Sequence, residues 1–284
     1  MSPTPLQFAI SLGHGGGSVV AGAHAFARAL GKRLGETIKN VVVANYEDLL
    51  AEVLAERAAI AWMPPVLGAQ AIEKGVRLVA IGERDGTRTY RSALLVRKGS
   101  AHTLQSLAGV RAAWTDPHSA AGYIFPRLQL LAAGLDLDKA LVSERFYGSY
   151  LAACGAVSDE EADLCACFVP EKATAGEAAA MAEVKRVYAA APWRLQVLAL
   201  TDSIPSDGVV VRAGLDDALR VRITDALLQL HRQPDGRDAL QQLMYASRLA
   251  APDDAILRSL ARLRRDLARL RPRAGDPASS RSGG

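Results

Sequence analysis

The sequence predicts an α/β protein of two units, each a mixed, mostly parallel sheet with helices on its faces. Three observations carry this. Short apolar runs alternate along the chain with longer segments of helical periodicity, the rhythm of βαβ units. The runs are nearly continuous rather than alternating, as expected of strands covered on both faces. The chain has 284 residues, 50% hydrophobic and 23% charged, enough for two cores of moderate size.

Taken in order, Leu6 to Leu12 reads as the first strand, followed by the glycine turn Gly13-His14-Gly15-Gly16-Gly17. Ser18 to Leu34 follows as a helix, with Val19, Ala23, Phe26, Ala27, Leu30 and Leu34 on one face. Lys39 to Ala44 is a second strand, and Tyr46 to Glu56 a helix with Leu49, Leu50, Val53 and Leu54 inward. Ala59 to Trp62 is a third strand, stopped by Met63-Pro64-Pro65, and Val66 to Lys74 is helical. Arg77 to Ile81 and Ser92 to Arg97 are further strands. A second unit begins after Lys98-Gly99-Ser100 with strand Arg111 to Trp114, a turn, and a helix from near Tyr123 to Ala133. Leu141 to Phe146 and Glu161 to Val169 read as strands around a helix ending near Val157. Leu195 to Thr201 and Gly208 to Arg212 are strands, and Asp216 to Leu230 and Ala239 to Met244 are helices. From Ala255 to Leu270, Leu257, Leu260, Leu263, Leu267 and Leu270 form a seam, with five arginines projecting elsewhere. The Pro-, Ser-, Gly- and Arg-rich stretch 271–284 is expected to be disordered.

The net charge is +4 and the pI near 9.0, but much of the excess sits in the last thirty residues. The body is close to neutral, so the pI gives no argument for nucleic acid. The arginine helix is a possible surface for a protein partner. Cys154, Cys165 and Cys167 are an odd, clustered set, which makes a poor disulfide framework and points to small, buried, reduced residues. No His lies near them to complete a zinc site, and neither metal nor cofactor is expected. No apolar run approaches the length of a membrane span. The opening residues run into the first strand without a basic region or leader-length apolar stretch. A cytoplasmic location is therefore expected for the sequence as it stands, and a periplasmic one if a leader precedes it.

The glycine run before the first helix matches neither a phosphate-binding loop ending in Gly-Lys-Ser/Thr nor a clean Gly-x-Gly-x-x-Gly pattern. It still lets backbone amides approach a ligand, with His14 beside them. More informative is Trp114-Thr115-Asp116-Pro117-His118-Ser119-Ala120-Ala121-Gly122-Tyr123. Here a strand ends, a turn follows, and a helix begins with Ser119 near its N-cap. Free amides and the helix dipole at that point favour an anion, and Ser119 can add a hydroxyl. Thr89-Tyr90-Arg91-Ser92 and Tyr147-Gly148-Ser149-Tyr150 lie at further strand–loop junctions, where α/β sheets bind ligands.

Six segments in order give a resemblance. They are Asn45 to Leu49, Ile60 to Pro65, Tyr90 to Val96, Asp116-Pro117-x-Ser119 to Gly122-Tyr123, Phe146 to Ser149, and Ile204-Pro205-x-Asp207. Over roughly residues 6 to 250 the chain resembles the phosphate/phosphite/phosphonate-type substrate-binding proteins of ABC transporters. The resemblance implies a two-lobed type II periplasmic-binding fold closing on a small molecule. One lobe would be 1–92 with 203–270 and the other 98–195, joined by crossing strands 93–97 and 196–202. It places an anionic head group on the helix after the Asp-Pro turn. That implicates Ser119, Ala120, Ala121, Gly122 and Tyr123, together with Tyr90, Ser149 and Tyr150. The far end of the ligand would meet Tyr46 and Asp202, and Trp62 is a further ligand-binding candidate among the aromatic residues near the pocket.

The chain departs from the pattern at two places. Family members present several hydroxyls in the capping turn, where this chain has Ser119-Ala120-Ala121, and a His where it has Tyr150. Each charged hydrogen bond lost is worth about 1.5–3 kcal/mol, so two amount to about two orders of magnitude or more in affinity. Weak binding of a dianion is expected, and a more aromatic pocket suited to a carboxylate, a zwitterion or a cationic ring. No ordered nucleophile–base pair, metal cluster or carboxylate dyad is present. The sequence thus reads as a small-molecule-binding protein with hinge closure, acting as a sensor or carrier. The alternative is a lyase or synthase on the same fold, with His14, His118 and Asp202 as its candidate residues.

Overall fold

The architecture was obtained as a computed structural model that describes residues 5–12, 17–172, 176–187 and 194–270. The predicted turn residues 13–16, including His14, and the predicted disordered tail lie outside the described residues. The chain divides into two compact units. One comprises the chain up to Arg91 with Pro170–Lys172 and Ser203–Leu260; the other comprises Ser92–Val169, 173–202 and the chain from Ala261.

In the first unit, β1 (Leu6–Ser11), α1 (Gly17–Leu34), β2 (Ile38–Val43), α2 (Tyr46–Leu54), β3 (Ile60–Met63), α3 (Pro65–Glu73) and β4 (Arg77–Glu83) follow one another. β1 pairs in parallel with both β2 and β3. α1 buries Ala23, Phe26, Ala27 and Leu30, the spacing of one helical face. α2 buries Leu49 and Val53 but turns Leu54 outward at 39% exposure, because Leu54 lies about 100° around the helix from Val53.

β5 (Thr89–Arg97) carries the chain into the second unit. There follow β6 (Val110–Trp114), a π-helical turn (Ala120–Ile124), α4 (Phe125–Ala132), α5 (Leu137–Ala140), β7 (Leu141–Phe146), α6 (Tyr150–Ser158), β8 (Leu164–Pro170), α7 (Glu177–Val187) and β9 (Leu195–Leu200). β6 pairs in parallel with β7 and β8, while β9 returns antiparallel along β5 from Ala93 to Arg97. Cys154, Cys165 and Cys167 are free thiols inside the core between α6 and β8. Burial pushes the Cys167 thiol well above its usual range.

The chain then re-enters the first unit through β10 (Ile204–Pro205), β11 (Gly208–Val211), α8 (Asp217–Leu228), α9 (Pro234–Met244) and β12 (Arg248–Ala250). β11 slots between β3 and β4 and is antiparallel to both. Its Val209, Val210 and Val211 are fully buried, as a central strand requires. The sheet order is β12-β4-β11-β3-β1-β2. α10 (Asp254–Leu267) ends the described chain.

Several boundaries differ from the sequence reading. α9 begins five residues earlier than expected, at Pro234, whose fixed φ suits the first helical position. β8 begins at Leu164 rather than Glu161. Asp163 just before it is committed to the backbone N–H and guanidinium of Arg111, which hold its carboxyl below the usual range. In α10 the buried seam starts at Ile256 and continues through Leu260 and Leu263, leaving Leu257 at 42% exposure. Those three are spaced i, i+4, i+7, and Leu257 is one step out of phase.

Candidate functional site

The turn after β6 is built by its own side chains. Asp116 Oδ1 accepts from the His118 N–H at 2.7 Å, and Ser119 N–H donates to the Asp116 carbonyl at 3.0 Å. Ser119 Oγ then accepts from the Gly122 N–H at 3.0 Å and caps the helical segment. Its first turn is wide: Ile124 N–H reaches the Ser119 carbonyl, and Phe125 N–H the Ala120 carbonyl. The amides of Ala120 and Ala121 precede any intrahelical acceptor.

The next strand brings a second such end beside it. β6 and β7 run parallel with Trp114 opposite Phe146. Tyr147 N–H donates to the Trp114 carbonyl and Gly148 N–H to the Thr115 carbonyl, both at 2.8 Å. Gly148 has φ +77°, a left-handed conformation that glycine adopts at no steric cost. Ser149 follows, and its Oγ caps α6 by accepting from the Ala152 N–H at 3.2 Å. Two serine-capped helix N-termini therefore open at the carboxyl ends of adjacent parallel strands. Each carries a positive dipole end of about half a charge, and together they suit an anion.

Beneath the turn lies a buried polar network. Trp114 Nε1 donates to Glu144 Oε2 at 2.7 Å, and Arg127 Nε lies 3.6 Å from the same oxygen. The Arg127 guanidinium donates to the Tyr123 hydroxyl and sits over its ring, 5.0 Å from the centroid. Tyr123 also meets Trp114 and Phe146 edge-on, at 5.8 and 5.0 Å. Packing, rather than presentation to solvent, accounts for Tyr123, which is 6% exposed.

Thr115 Oγ1 is buried in this region without a hydrogen-bond partner. Such an orphan costs about 1–3 kcal/mol. Thr115→Val, which keeps the shape and removes the orphan, is therefore expected to raise the urea midpoint. A lowered midpoint would mean that the hydroxyl has a partner in solution.

The remaining predicted residues lie elsewhere. Tyr46 and Trp62 meet in the first unit with ring centroids 6.4 Å apart, but Trp62 is wholly buried and Tyr46 nearly so. Tyr90 is 7% exposed and pairs with Ile204 across β5 and β10. Tyr150 opens α6 and is partly buried against the core. Asp202 is exposed, with Arg262 at 3.9 Å. The structure thus gathers Ser119 to Tyr123 with Ser149 and Tyr150 at one end of the second unit's sheet, and Tyr46 with Trp62 in the first.

Sequence reasoning passed over Glu171, whose Oε1 accepts from Arg91 Nε at 2.9 Å and Ser203 Oγ at 2.8 Å. Burial raises its carboxyl, but the hydrogen bonds from Ser203, Arg91 and Thr89 outweigh burial and leave it below its ordinary value. It also passed over Arg127 and Glu144. The signal for Arg127 was a charge within a largely apolar helix, and Glu144 had no signal beside Ser143 and Arg145.

Among the described residues no group of three or more His, Cys, Asp or Glu is placed to hold a metal ion, and no helix is long and apolar enough to cross a membrane. A search of curated proteins finds no match. Among solved structures, a Xanthomonas citri protein bound to ATP aligns with a TM-score of 0.77 at 18% identity, over 93% of this chain and 97% of that one. A Prochlorococcus marinus protein in complex with methylphosphonate gives 0.73 at 17% identity, over 95% and 100%. The binding component of a phosphonate ABC transporter from Pseudomonas aeruginosa gives 0.71 at 19% identity, over 98% and 93%. At such identities these likenesses establish the fold. The family model for the phosphonate-type periplasmic substrate-binding protein of ABC transporters matches residues 15–257, most of the chain. This chain belongs to the phosphonate-binding family of ABC transporter substrate-binding proteins.

Proposed function

We propose that the protein binds a small organic anion whose head group sits on the paired helix N-termini of the second unit. The observation that carries this is the juxtaposition of two serine-capped helix starts, at Ser119 and Ser149, across adjacent parallel strands. Ala120 and Ala121 contribute amides but no hydroxyls, and Tyr150 replaces an imidazole with a phenol. The donor set suits a singly charged carboxylate, sulfonate or phosphonate ester better than a phosphonate dianion. Tyr150, partly buried at the start of α6, supplies aromatic surface for the organic part, and the exposed arginines of α10 are the surface assigned to a protein partner.

Isothermal calorimetry tests the reading. Methylphosphonate is expected to bind with a Kd of about 1 μM or weaker, and a matched small carboxylate or sulfonate more tightly. Nanomolar affinity for methylphosphonate would overturn the preference for a singly charged head group. No heat with any of the three anions would overturn the site. Small-angle scattering should show compaction with the best of them, as the predicted hinge closure requires. Cell fractionation of the tagged protein then separates a cytosolic sensor or carrier from a periplasmic binding protein that serves a permease.

A further inference from the structure

The carbonyl of Ala121 stands in an unusual position. In a helix it would accept from the N–H four or five residues on. The first of these, on Phe125, is already given to the Ala120 carbonyl. The second position is Pro126, which has no N–H to give. Ala121 is 1% exposed, so water does not serve the carbonyl freely, and a buried carbonyl left unpaired is costly. The donor comes from another strand: Ser92 Oγ donates to the Ala121 carbonyl at 2.5 Å.

Ser92 is the first residue of the second unit and is fully buried at the head of the apolar run Ala93–Val96. Its remaining polar groups are tied to one residue. Ser92 N–H donates to Thr201 Oγ1 at 3.0 Å, and Thr201 N–H donates to the Ser92 carbonyl at 2.9 Å. The Thr201 hydroxyl in turn donates a hydrogen bond to the Asp202 carbonyl at 2.9 Å. Asp202 is where the chain leaves the unit. The points of entry and exit are therefore bonded to each other, and one of them is bonded to the helix start that offers its amides to an anion.

From this we infer that Ser92 is a positioning residue. It holds the Ala120–Ile124 turn by supplying the donor that Pro126 withholds, and it links occupation of the turn to the strands by which the chain enters and leaves the unit. This rests on the turn being the anion site. The second half of the inference needs that reading, whereas the first half does not.

Hydrogen exchange read by mass spectrometry tests both halves, with methylphosphonate at saturating concentration as the probe. Without ligand, Ser92→Ala should speed exchange in a peptide covering 119–125 about tenfold, the loss of one buried hydrogen bond. Adding Pro126→Ala returns an N–H within reach of the Ala121 carbonyl, so the double variant should exchange at close to the wild-type rate. A structural role unrelated to that carbonyl gives no such recovery. With ligand, protection in the wild type should extend from 119–125 to 195–201, and in Ser92→Ala it should stop at 119–125.

Wild-type exchange in Ser92→Ala, or no recovery in the double variant, overturns the positioning role. Equal spread of protection in wild type and variant overturns the link. A wild type whose exchange is unchanged by methylphosphonate and which gives no calorimetric heat overturns the proposed anion site instead, and the ligand-free arm still decides the positioning role.

Discussion

Arg127→Met is expected to destabilise the protein by about 3–5 kcal/mol, the cost of breaking a buried ion pair from one side. The guanidinium is 5% exposed and its partner Glu144 is 8% exposed, at 3.6 Å. Removing the cation takes away the ion-pair partner of a carboxylate that also accepts from Trp114 Nε1, and it removes the donor to the Tyr123 hydroxyl. Replacing both charges together, as Arg127→Met with Glu144→Leu, should cost much less than the sum of the two single changes, since no uncompensated charge remains. Urea unfolding of the four proteins gives the cycle directly. Additive losses would mean that water reaches the pair and that each charge is solvated alone.

Gly122→Ala should do nearly as much damage by a different route. A Cβ built on Gly122 falls 1.9 Å from Thr115 Oγ1 and 2.8 Å from both Thr115 Cβ and Cγ2. Thr115 is 5% exposed and β-branched, so its side chain has little room to turn aside. The overlap forces β6 and the helix start apart, at a cost of about 1–3 kcal/mol or more, and misdirects the Ala120 and Ala121 amides. Anion binding measured by calorimetry is expected to fall below detection while the protein remains folded at low temperature. Thr115→Gly in the same chain removes those three atoms and should restore part of the affinity. Full binding by Gly122→Ala alone would place the anion elsewhere.

The fold was legible in the sequence where local signals agreed. Val209 to Val211 read as a strand because an uninterrupted β-branched run has few other uses, and Leu141 to Phe146 was read to the residue. α7 was not read at all, since Glu177–Val187 is rich in alanine and shows no clear apolar stripe. In α10 the leucines alone set the phase, and Ile256, which carries the first contact, was passed over for its neighbour.

The capping turn at Ser119 was visible because Asp-Pro followed by Ser is a local grammar of turns and helix starts. What supports that turn was not visible. Ser92 lies 29 residues from the carbonyl it serves, and Glu144 lies 17 residues beyond Arg127. Which face of a strand meets which turn of a helix is decided by the assembled sheet, and period-two alternation does not reveal a partner. Trp62, an aromatic residue near a strand end, is fully enclosed by the first unit's core, and that enclosure too is set by the assembled sheet rather than by local sequence.

The placement of β11 has a consequence for how the chain reaches this state. β3 and β4 are not neighbours in their sheet, because Gly208–Val211 lies between them. The first ninety residues therefore cannot complete their own sheet on leaving the ribosome. They wait through the synthesis of more than a hundred further residues with one edge of β3 and both edges of β4 unmatched. Meanwhile the second unit, drawn mainly from Ser92–Val169 and 173–202, has its strands in hand. Synthesis thus favours the second unit as the first to gain structure, and the nascent first unit is the aggregation-prone species that a holding chaperone has reason to meet.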